Sequence, residues 1–317
     1  MALAANSVQY TPPRHVCQME HDLCMLPRLW ANEGDLILTP DGIVGLDGQK
    51  ASLNAEMQPM PWGWNKAVRR QFIRVGVAES MLPTDDEIDF IRQCASRKWA
   101  AQYAVELYQN MGESRFVVPN HMSFCTDAVG VDSWMAQHEG MNYIVKSEYS
   151  SSGRGNSINH LRSGQLLIDC FYDKQMDFAM EFEVTDHDVS MLGFSVFNAS
   201  REGKYAFNHL KSQDELCQMI VQQLPPDGAR HLDKLAETHK SLLRKHLLGR
   251  YCGIVGIDMM VVAGGRIHPC VEINLRMNMG VVAILLHEKG ATNHDCALIG
   301  GDMFRPVIEE DRFFIKS

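Results

Sequence analysis

Alternation with a period of two marks the clearest stretches of this chain. In "MDFAMEFEV" (176–184) apolar side chains take every second position, the pattern of a strand with one face in a core. "GQLLIDCFYD" (164–173) reads as a strand ending in a polar turn, and "MNYIVKSEYSSSGRGNSI" (141–158) as a strand, a polar glycine loop, and a second strand or helix start. In "HPCVEINLRMNMG" (268–280), Val271, Ile273, Leu275 and Met277 fall on one side of an extended chain, and Glu272, Asn274 and Arg276 on the other.

Helical spacing appears elsewhere. Thr84 with Glu87 forms a capping box that opens "EIDFIRQCA", and Ser96 caps "RKWAAQYAVELYQNM", which Gly112 ends. Leu232, Leu235, Leu242, Leu243 and Leu247 predict an amphipathic helix within 227–248, with Gly249 as its C-cap. "MGVVAILLHEKG" closes with a helix stopped by Gly290. Residues 1–60 predict short strands and turns, with Asp-Gly signals in "DLILTPDGIVGLDG", and "RFVVPNH" (115–121) a strand opening a new unit. The mixture points to an α+β fold, with a boundary near residue 113.

Composition narrows the partners. At 317 residues the chain can bury a substantial core in two or three subdomains. A net charge of −9 argues against a nucleic-acid or anionic-membrane partner, so cations meant for a polyphosphate must be gathered locally. No apolar run nears the roughly 20 residues that span a bilayer, and no signal-peptide pattern opens the chain. Nine cysteines without a C-x-x-C pair suit the reduced thiols of a cytoplasmic protein, with Cys170, Cys252 and Cys270 as core fillers. The histidines, including His287 and His294 near Cys296, show no zinc spacing.

Two segments carry candidate chemistry. In "KSEYSSSGRG" small residues allow backbone amides to approach phosphate oxygens, while Lys146 and Arg154 supply cations; the lysine precedes the glycines, unlike a Walker sequence. The second is a hairpin. A three-residue loop over Gly264, Gly265 and Arg266 would set Ala263 against Ile267 and Asp258 directly opposite Glu272, on the face that holds Asn274. A two-residue loop would send Asp258 to the other face. Two carboxylates and an amide are hard oxygen donors that suit Mg²⁺ beside substrate phosphates.

The order of these parts, a lysine, a glycine-rich loop, a hinge strand, an aspartate and then "EINLR", resembles the ATP-grasp superfamily over residues 95–285. The E-x-N-x-R form is similar to that of biotin carboxylase and carbamoyl phosphate synthetase. The resemblance implies two α+β subdomains clamping a nucleotide, 113–175 as the small lid and 176–317 as the metal- and substrate-binding part. A smaller α/β N-terminal domain, 1–112, would precede them. It implies that Lys146 and Lys98 (or the neighbouring Arg97) contact phosphates, and that Ser150, Ser151, Ser152, Gly153, Arg154 and Gly155 fold over them. Asp169, Cys170, Phe171 and Tyr172 would meet the adenine, and Asp177 the ribose.

Asp258, Glu272 and Asn274 would be the metal ligands, and Arg276 the cation at an acyl phosphate. ATP and two Mg²⁺ ions, with Mn²⁺ as an alternative, are the implied cofactors. The implied activity is a cytoplasmic carbon–nitrogen ligase joining a small carboxylate to an amine (or peptide), with dimers common among relatives. A kinase on the same fold and a non-catalytic ATP-binding module are the alternatives. The substrate carboxylate is barely marked; Arg201 or Lys204 in "SVFNASREGKYAFNH" are candidates to hold it.

Overall fold

A computed structural model describes residue 7 and residues 9–54, 57–112, 116–149, 156–161, 166–199 and 205–317. The first part is mainly helical: α1 (Arg14–Leu23), the ribbon β1 (Ile37–Thr39) and β2 (Gly42–Val44), α2 (Lys66–Arg74), α3 (Asp85–Cys94) and α4 (Arg97–Met111). A four-stranded unit follows, with β3 (Ser123–Cys125), α5 (Ala128–Gln137), β4 (Tyr143–Ser147), β5 (Asn156–Ile158) and β6 (Leu166–Cys170). Next come β7 (Lys174–Val184), β8 (Val189–Ala199), β9 (Tyr205–His209), α6 (Gln213–Val221) and α7 (Gly228–Leu247). The chain continues as β10 (Gly253–Val262), β11 (Arg266–Asn274), α8 (Met279–Glu288), α9 (Asn293–Ala297), β12 (Arg305–Glu309) and β13 (Arg312–Lys316).

The fold is mixed α and β with antiparallel sheets. The large sheet runs β11-β10-β7-β8-β9-β13-β12, and the small one β3-β6-β4-β5. Alternation decides what each face does. Phe178, Met180, Phe182 and Val184 of β7 join Val255, Ile257, Met259 and Val261 of β10 in one buried core with Leu232, Leu235, Leu242 and Leu243 of α7. Burying each such side chain contributes about 1.5–3 kcal/mol. Tyr103, Leu107 and Met111 of α4 belong to this same core. The intervening residues, Asp177, Ala179 and Glu181 of β7 with Gly256, Asp258 and Met260 of β10, lie in register on the opposite face. In the small sheet Val145, Leu166, Ile168 and Cys170 pack with Val131 and Trp134 of α5. The other face carries Lys146 and Asp169, whose neighbour Leu167 packs on Ala101 and Ala104 of α4.

The predicted caps are present: Thr84 and Glu87 form the capping box of α3, and the Ser96 hydroxyl accepts the Trp99 amide at the start of α4. Other local expectations are corrected. Residues 14–23 form a helix rather than strands and turns; its one buried side chain is Asp22, so no apolar stripe announced it. Asp22 instead accepts the amides of Met303 and Phe304 at 3.1 and 3.0 Å, tying α1 to the C-terminal segment. "RFVVPNH" forms no named strand among its described residues, only a bridge from Val117 to Ile267. Cys252 is exposed, not core.

Candidate functional site

The hairpin β10–β11 turns through Ala263, Gly264 and Gly265, with both glycines at positive φ (84° and 69°). The loop thus has three residues but sits one place earlier than expected, with Val262 opposite Arg266 rather than Ala263 opposite Ile267. Continued outward, this register would set Asp258 against Cys270. It does not continue, because between the pairs Met260–His268 and Asp258–Glu272 the ladder is irregular. One residue on β10, Met259, faces three on β11, Pro269, Cys270 and Val271. A bulge of this kind slides a strand without turning its side chains over when the excess is even. Asp258 therefore stands opposite Glu272, and Gly256 opposite Asn274.

Contacts along this row are direct. Asn274 Nδ2 donates to Asp258 Oδ2 at 3.2 Å, and Arg276 Nη2 donates to Asn274 Oδ1 at 2.9 Å. Arg97, buried at the start of α4, pairs with Glu272 at 2.9 Å. Burial, then repulsion from Glu272 and Glu181, holds the Asp258 carboxyl well above the usual carboxylate range, although its side chain keeps partial exposure. Lys146, 6% exposed, faces these groups from the small sheet. Burial and the positive field of Arg97 lower its pKa, while Asp169, Glu272 and Asp258 oppose that shift. Two cations, one on the small sheet and one on α4, thus meet two carboxylates of the hairpin.

Behind the row lies an acid not singled out from the sequence. Glu181 is 1% exposed and accepts from Ser195 Oγ at 2.9 Å and Asn278 Nδ2 at 2.7 Å. Burial pushes its pKa up to about 7. Two glycines make room for it: a Cβ at Gly256 would fall 2.6 Å from one carboxylate oxygen, and at Gly280 2.2 Å from the other. Its signal was the "MDFAMEFEV" alternation, which sets Glu181 on the same face as Asp177. Asn278 also caps α8 through the Val281 amide at 3.0 Å, so the segment carrying Arg276 is tied at its far end. On its outer side the Trp62 carbonyl accepts the Met277 amide at 2.7 Å, which places "PWGW" against this segment.

Several proposed contacts fall elsewhere. Lys98 is exposed, and the helix turns Arg97, not Lys98, toward Glu272. Asp169 reaches the large sheet, but its Oδ2 lies 2.9 Å from His268 Nε2 and its Oδ1 accepts the Cys170 amide at 2.8 Å. That carboxylate is already engaged by protein. Asp177 is paired with Lys174 at 2.5 Å. Phe171 and Tyr172 form the half-buried hinge after β6, where the Tyr172 hydroxyl meets His121 Nδ1 at 3.0 Å. Ser150, Ser151, Ser152, Gly153, Arg154, Gly155, Arg201 and Lys204 lie outside the described residues. A cavity of about 360 Å³ lined by Phe207, Glu309, Arg312 and Phe314 sits toward the opposite edge of the large sheet and holds none of these groups.

Among the described residues no three His, Cys, Asp or Glu side chains stand together as a metal-binding group. The donor set is the Asp258–Glu272 pair plus the Asn274 amide, whose oxygen already accepts from Arg276. Such a set fits a hard cation that takes further oxygens from phosphate and water. No helix among the described residues is long and apolar enough to cross a membrane.

No family model matches the chain, and no curated protein matches it. Solved structures do. N5-carboxyaminoimidazole synthetase from Staphylococcus aureus, complexed with ADP, matches with 9% identity and a TM-score of 0.45, over 68% of this chain and 63% of that one. Biotin carboxylase from Campylobacter jejuni matches with 11% identity and a TM-score of 0.47, over 65% of this chain and 47% of that one. D-alanyl-alanine synthetase A from Vibrio cholerae matches with 12% identity and a TM-score of 0.43, over 71% and 68%. The match thus spans less than two thirds of the first two proteins. At 9–12% identity these likenesses concern the fold alone.

Proposed function

We propose that this chain is an ATP- and Mg²⁺-dependent ligase that activates a carboxylate as an acyl phosphate and joins it to an amine or similar nucleophile, releasing ADP and phosphate. One observation carries the reading: Arg97 of α4 is ion-paired with Glu272, and the buried Lys146 of the small sheet lies in the fields of both Asp258 and Glu272 on the hairpin. Opposed charges of this kind, brought from separate elements, suit an anion bridged to cations rather than a packed core.

In this reading the small sheet serves as a lid over the large one. Lys146 and Arg97 hold phosphate oxygens. Asp258 and Glu272 would hold one or two Mg²⁺ ions, with Mn²⁺ as a substitute, and Asn274 braces Asp258 by its amide hydrogen bond. The ions supply charge neutralisation on the triphosphate. Arg276 stands two residues beyond Asn274, just past the end of β11, where it stabilises charge on the phosphoryl group in transit. The Phe171–Tyr172 hinge receives the adenine through its backbone. The protein contributes position and field, not a covalent intermediate.

The test is a coupled screen of ATP with amino acids, small peptides and dicarboxylates, each with and without an amine. ADP and free phosphate should appear together, and only when carboxylate and nucleophile are both present. A stable phosphorylated product without free phosphate makes the protein a kinase. Nucleotide binding without turnover across the panel removes the catalytic reading.

A further inference from the structure

The irregularity that sets Glu272 against Asp258 lies in the core, where a residue outside the charged row meets it. His239 of α7 is fully buried, and its Nε2 lies 3.1 Å from the Pro269 carbonyl. A carbonyl only accepts, so Nε2 carries the hydrogen and Nδ1 is left as an acceptor. That acceptor meets the Tyr103 hydroxyl of α4 at 2.9 Å, so the phenol donates. The two rings stack with planes 4° apart. Burial holds the imidazole pKa down to about 3, so one neutral tautomer persists across ordinary pH. Pro269 has no amide hydrogen to offer the ladder. Its carbonyl, turned into the core, would be left unsatisfied without His239.

We propose that His239 is a positioning residue for the metal-holding pair. It pins the three-residue side of the bulge, and with it the two-residue slide that puts Glu272, rather than Cys270, opposite Asp258. This rests on the ligase reading only for the identity of the ion. Its second partner strengthens the case, because α4 carries both Tyr103 and the Arg97 that pairs with Glu272. One helix thus braces the bulge from behind and the carboxylate from the front.

The test compares the full-length chain with His239→Phe, His239→Gln and Tyr103→Phe. Hairpin pairing is read by cross-strand NOEs or a crystal structure, and Mn²⁺ affinity is titrated in the presence of ADP. For His239→Phe the Asp258–Glu272 pairing should be lost, with Mn²⁺ binding weakened by about tenfold or more. Binding of ADP in EDTA should be unchanged. His239→Gln keeps an N–H donor and should recover part of the affinity. A folded His239→Phe that keeps the pairing, or that loses it without any change in Mn²⁺ affinity, overturns the proposal. Should that variant not fold, Tyr103→Phe decides: weakening of about threefold upholds the proposal and wild-type affinity overturns it. If the wild type itself binds no Mn²⁺, the metal reading fails and the pairing alone judges His239.

Discussion

The two sheets bury charge in opposite ways. On the large sheet Glu181 is enclosed by neutral donors, Ser195 and Asn278, with two glycines shaped around it. On the small sheet Lys146 is buried beside a second cation, and burial and the field of Arg97 lower its pKa against the opposing fields of Asp169, Glu272 and Asp258. A carboxylate satisfied by its own neighbours is a finished piece of architecture. A buried cation set beside another cation instead favours an anion that both can reach. The comparison separates the residue that shapes the site from the one expected to touch ligand.

Breaking the metal-holding side should have the largest effect. Glu272→Gln and Asp258→Asn should each lower turnover about a thousandfold, read as ADP release at saturating ATP. Asp258→Asn carries a second signature. Because its folded pKa is raised, ionisation at Asp258 lowers stability as pH rises above its unfolded value. The asparagine variant should therefore melt higher than wild type at pH 7 while inactive, which an ordinary core residue would not do.

Next in size is Lys146→Met, with about a hundredfold loss in kcat/KM for ATP and no loss of melting temperature, since a buried charge is replaced by an isostere of similar length. Arg97→Met and Lys98→Met sharpen the contrast within one helix turn. The first should weaken MgATP binding by about tenfold, and the second should leave it unaltered, as isothermal titration would show.

The smallest effect belongs to Glu181. Its pKa rises from 4.5 to about 7, so the folded state holds the proton more tightly and stability falls as pH climbs through that interval. Glu181→Gln should flatten that part of a melting-temperature profile. An unchanged slope would assign the pH dependence elsewhere.

Much of the hairpin was legible. Period-two spacing put Glu272, Asn274 and Arg276 on one face, and the caps at Thr84 and Ser96 follow from local hydrogen-bond chemistry alone. The bulge was not, because it is settled by a tertiary contact to His239; Pro269, unable to serve the ladder, was the one local sign of it. Arg97 was legible in retrospect. It shares a helix face with buried Ala101 and Ala104, whereas Lys98 shares one with exposed Gln102 and Val105. Resemblance favoured the lysine; helical periodicity favours the arginine. The helix at 14–23 escaped because it buries a carboxylate rather than a stripe, and no periodicity announces that.

One tether in the backbone has a bearing on selectivity. The Arg97 amide donates to the Glu148 carbonyl at 3.1 Å, two residues after Lys146 on the same run of chain. The lysine and the guanidinium therefore travel as a yoked pair, unable to part without breaking that link. An anion long enough to engage both gains the advantage of two linked attachments, whereas one that reaches a single cation gains nothing from the second. Under the proposed function, discrimination between a triphosphate and a monophosphate then begins as a matter of span.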